Sequence, residues 1–164
     1  MDARLIAAGL IEIEKPENPY DHTYGTVEIP WYGKTEKVHV IFERDEQDDL
    51  PTDRQIEAFS FFMSHREVFF YNLEDELFIY FNIARSESNL DKDTIDRLFP
   101  KLNCARELKN LMKPFTVMVS YYAGEDWSDY IGLLMECTWE IEHGLGVKIV
   151  DNKVIEIGIQ EIVL

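Results

Sequence analysis

Hydrophobic and polar positions divide the chain into stretches of different period. From residue 24 the pattern is strand-like: Thr26-Val27-Glu28-Ile29 and Lys37-Val38-His39-Val40-Ile41-Phe42 flank Trp31-Tyr32-Gly33-Lys34. Two β-rich runs around a Gly-containing turn predict an antiparallel hairpin. Beyond residue 51 the period lengthens. Ile56, Phe59, Phe62 and Met63 recur at steps of three and four, followed by Phe69 or Phe70, Leu73, Leu77, Tyr80 and Phe81. That spacing predicts two consecutive helices or one long bent helix. Thr52 with Gln55 three residues on has the form of a capping box, the hydroxyl accepting from an early helical N–H while Gln55 returns a bond to the cap backbone. A competing reading makes residues 68–71 and 77–81 strands around the acidic turn Glu74-Asp75-Glu76.

The remaining segments are read in the same way. Residues 4–14 alternate loosely and fit either a helix end or a strand, and residues 15–22, with two prolines, are a loop. Residues 94–99 fit one or two helical turns before Pro100. Leu102, Ala105, Leu108 and Leu111 suggest a short helix stopped by Pro114. Residues 115–122 and 130–138 are strands joined by a turn. Residues 145–150 and 153–157 pair around Asp151-Asn152, and the last five residues are expected to add a final strand. Strands first, helices in the middle and strands again, with antiparallel connections throughout, predict one α+β domain over residues 1–164 with a strand-rich C-terminal half.

Composition narrows the class. Apolar residues make up 46% of the 164-residue chain, enough for a packed core without disulfides or metal, and charges interrupt every apolar run before a membrane span is reached. No secretory leader is visible and the chain has just Cys104 and Cys137, so a reducing cytoplasm is the expected location. Charge changes the picture most. Against 16 Lys and Arg stand 32 Asp and Glu, a net charge of -16 that repels nucleic acid and anionic membranes and speeds encounter with a basic protein.

Two groups of residues invite a functional reading. Cys137, Glu142 and His143 supply a thiol, a carboxylate and an imidazole within a few positions, the residue types of a metal site or a Cys nucleophile with its base. Glu142 and His143 are neighbours, however, and point apart on either a strand or a helix. The competing reading is structural, with Trp139 a core anchor and Gly144 and Gly146 permitting a tight turn at which His143 caps a carbonyl. The second group is a contact surface for Lys and Arg of a partner: Glu43, Asp45, Glu46, Asp48 and Asp49, with Glu125 and Asp126. Trp31, Tyr32 and Trp127 in exposed turns would be its aromatic anchors. No phosphate-cradling glycine loop, G-x-S-x-G elbow or H-E-x-x-H motif occurs, and no cofactor is expected.

The run Ile131-Gly132-Leu133-Leu134, Cys137-Thr138-Trp139, Glu142-His143-Gly144-Leu145-Gly146-Val147, then Val154, Gly158 and Gln160, resembles the C-terminal signature of an uncharacterised bacterial domain family. Pro51-Thr52-x-x-Gln55 and Leu108-x-x-Leu111-x-x-Pro114 extend the resemblance over most of the chain from about Tyr24. Where that family tends to have Asp after the Trp, this chain has Glu140. The resemblance implies a small cytoplasmic protein similar to the immunity proteins found beside polymorphic and contact-dependent toxin genes, and it supplies no catalytic residue. The expected function is binding and neutralising a cognate toxin domain, a basic nuclease best fitting the charge. The alternatives are a metal- or Cys-dependent enzyme using Cys137, Glu142 and His143, or a housekeeping interaction module.

Overall fold

The computed structural model describes residues 2–11, 23–43, 51–120 and 130–164. A short helix α1 (Ala3–Ala7) opens the chain, its first turn capped by the Asp2 carboxylate accepting from the Arg4 N–H. Strands β1 (Thr23–Trp31) and β2 (Lys34–Phe42) follow. The two residues between them, Tyr32 and Gly33, have φ of 46° and 78°, the positive pair a tight hairpin of this kind needs. The predicted hairpin is therefore present.

Helices α2 (Asp53–Ser64) and α3 (Arg66–Glu87) fill the middle of the chain. The capping box is complete: the Gln55 N–H donates to the Thr52 hydroxyl and the Thr52 N–H to the Gln55 side-chain oxygen. The break between the helices falls at His65, with φ −112° and ψ 8°, where its imidazole and the Ser64 hydroxyl both gather at the Phe61 carbonyl. The strand reading of residues 68–81 is overturned, since Glu74-Asp75-Glu76 lies in mid-helix on α3. Helix α4 (Lys92–Leu98) is capped by Asp91, and a 3-10 helix, Ala105–Asn110, leads into the second half of the sheet.

Strands β3 (Met112–Val119), β4 (Ile131–Cys137), β5 (Leu145–Val150) and β6 (Lys153–Ile159) complete a six-stranded sheet of order β1-β2-β3-β4-β5-β6. Asp151 and Asn152, with φ of 50° and 57°, close the predicted β5–β6 hairpin. Three expectations are corrected. The β2–β3 pair is parallel, because the helices carry the chain back to the end of the sheet at which β2 began. Pro114 does not stop the preceding helix; it lies inside β3 beside a bulge that absorbs its missing donor. The last residues form a 3-10 helix, Gln160–Val163, in place of a strand. The α+β class stands, with the strands concentrated in the C-terminal half.

One face of the sheet is sealed by α2 and α3. Val27, Ile29, Val38, Val40, Val117, Leu133, Met135, Val147 and Ile149 meet Ile56, Phe59, Phe62, Leu73, Leu77 and Phe81 in one continuous core. Helix α3 packs against both edge strands, β1 and β6, so it lies across the sheet. Its 22 residues reach about 33 Å, enough to cross the roughly 24 Å of six paired strands. Gln55 is buried where β2 and β3 end side by side. Its amide nitrogen donates to the carbonyls of Glu43, Val119 and Ser120, at 2.5, 3.3 and 3.3 Å. A residue that caps a helix thus also clasps the parallel seam of the sheet. On the opposite face a smaller cluster gathers Met118, Leu134 and Val163. Among the described residues no helix is long and apolar enough to cross a membrane.

Candidate functional site

The Cys137 to Gly146 stretch is a strand, a tight turn and a second strand. Its side chains bind the fold together. The Thr138 hydroxyl donates to the Leu98 carbonyl at 3.1 Å and its N–H to the Leu111 carbonyl at 2.9 Å, fixing the ends of α4 and of the 3-10 helix. Trp139 is half-buried. Its ring stacks on Phe99 at 5.9 Å and meets Phe81 edge-on at 5.0 Å, joining the turn to α3. The turn itself closes by a 2.9 Å bond from the Gly144 N–H to the Glu140 carbonyl.

The three reactive side chains do not converge. Cys137 is buried in the core, its thiol 3.9 Å from the Glu140 carbonyl, and burial pushes its pKa up to about 11. At neutral pH it is a thiol, neither a good nucleophile nor a good ligand. His143 is exposed and bonds through Nδ1 to the Glu140 carboxylate at 2.9 Å, in place of the expected carbonyl cap. That bond, with the charges of Glu140, Glu142 and Glu161, raises the imidazole pKa above its ordinary value. Glu142 is exposed. Among the described residues no three His, Cys, Asp or Glu side chains are grouped closely enough to hold a metal ion. Beside the turn is an open hollow of about 930 Å3. Its lining includes cations, Lys109 and Lys113, and anions, Glu136 and Glu142, so its charge selects no ligand of one sign.

The glycines of the stretch form a seat for the C-terminal 3-10 helix. Gln160 turns back so that its side-chain amide donates to the Met135 carbonyl at 3.2 Å. A Cβ on Gly144, whose φ is +59°, would collide with that amide. A Cβ on Gly146 would stand 3.1 Å from Val163 and 3.2 Å from the Gln160 backbone. One on Gly132 would stand 2.9 Å from Val163, and one on Gly158 3.2 Å from Ile162. Three adjacent strands therefore go without side chains where Gln160–Val163 crosses them. Four glycines and Gln160 of the signature run are accounted for by this packing.

Of the expected contact surface, Asp45, Glu46, Asp48, Asp49, Glu125, Asp126 and Trp127 lie outside the described residues. Glu43 is half-buried at the end of β2, its N–H donating to the Val119 carbonyl and its own carbonyl accepting from Gln55. The expectation that Trp31 and Tyr32 stand exposed is overturned: each is only 6% exposed. The hairpin turn folds beneath α3, where Trp31 meets Tyr32 edge-on at 4.9 Å and Phe70 at 6.4 Å. Burial, with the carboxylates of Glu74 and Asp75 nearby, pushes the Tyr32 phenol above its usual pKa. These rings stabilise the core and cannot anchor a partner.

Sequence reasoning missed a different surface. Val68, Tyr71, Ile79 and Ile83 of α3 are exposed large apolar residues on the side of the helix turned away from the sheet. The signal was available: Val68, Tyr71, Ile79 and Ile83 fall at helical spacing on the other side of α3, with Asp75 at the step between Tyr71 and Ile79.

A family model described as "Domain of unknown function (DUF6985)" matches residues 9–164, which take in every strand and every helix after α1. No curated protein and no solved structure matches the chain.

Proposed function

The chain belongs to this family of unknown function, and from its own chemistry we propose that it is a cytoplasmic immunity-type protein that binds and neutralises a basic bacterial toxin domain. The observation that carries the reading is charge: a net -16 on 164 residues makes a basic protein surface the favoured partner. A nuclease domain, which needs a basic surface to hold its own substrate, best fits that field. Complementary charge would set how fast the two meet, and buried apolar contacts how slowly they part.

Co-expression with the open reading frame next to its gene tests this directly. The expected result is protection of the cells and co-purification of the two chains, with an association rate that falls steeply as salt rises. Absence of protection and of a complex would remove the reading. A Cys-dependent enzyme is less well supported, since the Cys137 thiol is buried, protonated and turned to a backbone carbonyl.

A further inference from the structure

Helix α3 presents a second apolar line to solvent. Val68, Tyr71, Ile79 and Ile83 are 66, 75, 59 and 49% exposed. With 100° between successive residues, positions 68, 71, 75, 79 and 83 fall within about 60° of one line along the helix. At 1.5 Å per residue that line is about 22 Å long. Because α3 lies across the sheet, the line forms a ridge on the outside of the helical layer. Surface apolar residues scattered singly need no explanation, but four in helical register on one ridge form an aligned patch.

Charge selects what covers it. The central position of the line is an acid, Asp75, and Glu67, Glu74, Glu76 and Glu87 lie along the same helix. Both cations of α3 are turned to their own chain: Arg66 donates to the Met63 carbonyl, and Arg85 to the Phe99 carbonyl and the Asp96 carboxylate. Among the described residues Glu67, Asp75, Glu76 and Glu87 form no ion pair. A second copy of this chain would bring carboxylate against carboxylate, with -16 on each molecule, and an anionic membrane or a nucleic acid meets the same repulsion. A helix with apolar residues at steps of three and four, bordered by Lys or Arg, meets both the ridge and its acids.

We propose that the outer face of α3 docks an amphipathic basic helix of a protein partner, with Val68, Tyr71, Ile79 and Ile83 as the apolar ridge and Asp75 and Glu76 pairing with the partner's cations. The proposal deepens the toxin-binding reading and rests on it for the identity of the partner, while the surface itself can be probed without one.

The probe is a pair of synthetic peptides of about 18 residues with the same Leu, Lys and Ala composition. One is ordered so that its leucines form a single helical stripe; in the other they are scattered round the helix. Titrated into the isotopically labelled full chain near physiological salt, the ordered peptide is expected to shift amide resonances of residues 67–83. It should bind at least about tenfold more tightly than the scattered one. Tyr71→Ala with Ile79→Ser should remove that preference without changing the melting temperature, and Asp75→Asn with Glu76→Gln should weaken binding and flatten its salt dependence. Equal binding of both peptides, shifts centred away from α3, self-association through this face, or no binding at about millimolar peptide would each overturn the proposal. A chain that binds the ordered peptide on α3 but gives no protection against the neighbouring gene product keeps the surface and loses the toxin reading. Protection without peptide binding does the reverse.

Discussion

The side-chain amide of Gln160 passes directly over Gly144 to reach the Met135 carbonyl at 3.2 Å. Gly144 is required there twice, by its φ of +59° and because a Cβ would meet both the amide and, at 2.7 Å, the Met135 oxygen. Gly144→Ala should therefore cost about 2–4 kcal/mol, combining a strained backbone with a displaced hydrogen bond. Gln160→Ala alone should cost about 1 kcal/mol. The double variant should lose less than the two added together, because truncating Gln160 removes the collision. Urea midpoints at unchanged slope measure all three, and a Gly144→Ala chain within about 0.5 kcal/mol of the parent would contradict this packing.

Gln55 should be among the costliest polar side chains to remove. Its amide serves three carbonyls at the β2–β3 seam, and without it each loses a buried donor, although the Val119 oxygen keeps its bond from the Glu43 N–H. Gln55→Ala is expected to lose about 2–4 kcal/mol, against about 1 kcal/mol for Thr52→Ala, which loses the helix cap alone. Equal losses for the two would show that Gln55 acts only as a cap.

Much of this fold is legible in the sequence because it is local. The Tyr32-Gly33 and Asp151-Asn152 turns, the Thr52–Gln55 box and the 3.6-residue period of α2 and α3 each depend on residues a few positions apart. What could not be read depends on distant segments meeting. Nothing near Gln55 announces that β2 and β3 will end beside it. Ile162 and Val163 have strand composition, and only the side-chain-free strip made by Gly132, Gly146 and Gly158 turns them into a packed 3-10 helix. Trp31 and Tyr32 flank a turn, a place where exposure is the ordinary outcome, yet α3 crosses above them. For the Cys137, Glu142, His143 group, nearness in the chain does not become nearness of side chains, since Cys137 is buried while Glu142 and His143 are exposed.

The two cysteines should differ sharply in reactivity. Cys104 is exposed, while Cys137 is buried with its thiol pKa raised to about 11. At pH 8 only about one Cys137 in a thousand is thiolate. A disulfide reagent should modify one thiol rapidly in the native chain and the second only in denaturant, and Cys104→Ser should leave the native chain inert. Rapid labelling of Cys137 would reopen the Cys-enzyme reading.

His143 should give the turn a pH dependence of definite sign. Its pKa is raised above 6.5 in the folded chain, first by the hydrogen bond to Glu140. The stabilisation is thus fully present below about pH 6.5 and is lost as pH rises through the raised value. An NMR titration of the imidazole should show the raised midpoint, and Glu140→Gln should return it toward the ordinary one. An unchanged midpoint in that variant would assign the shift to Glu142 and Glu161 instead.

The two faces of α3 should respond very differently to truncation. Leu73→Ala or Phe81→Ala, on the buried side, should cost about 3–5 kcal/mol, whereas Tyr71→Ala or Ile79→Ser should stay within about 0.5 kcal/mol. Thermal or urea unfolding checks the contrast. A large loss at Tyr71 or Ile79 would show that the ridge is covered by the chain itself.

The parallel β2–β3 pairing also has a consequence for how the molecule assembles. Strands β1 and β2 meet their partners within a hairpin, and β3 to β6 pair in simple succession, so each half-sheet can form early from nearby contacts. The β2–β3 seam must wait until the whole helical segment between them has been brought across, the slow step that long loop closure imposes. The same line is where the sheet would part first on unfolding, releasing a hairpin from a four-stranded remnant, with Gln55 holding the two shut.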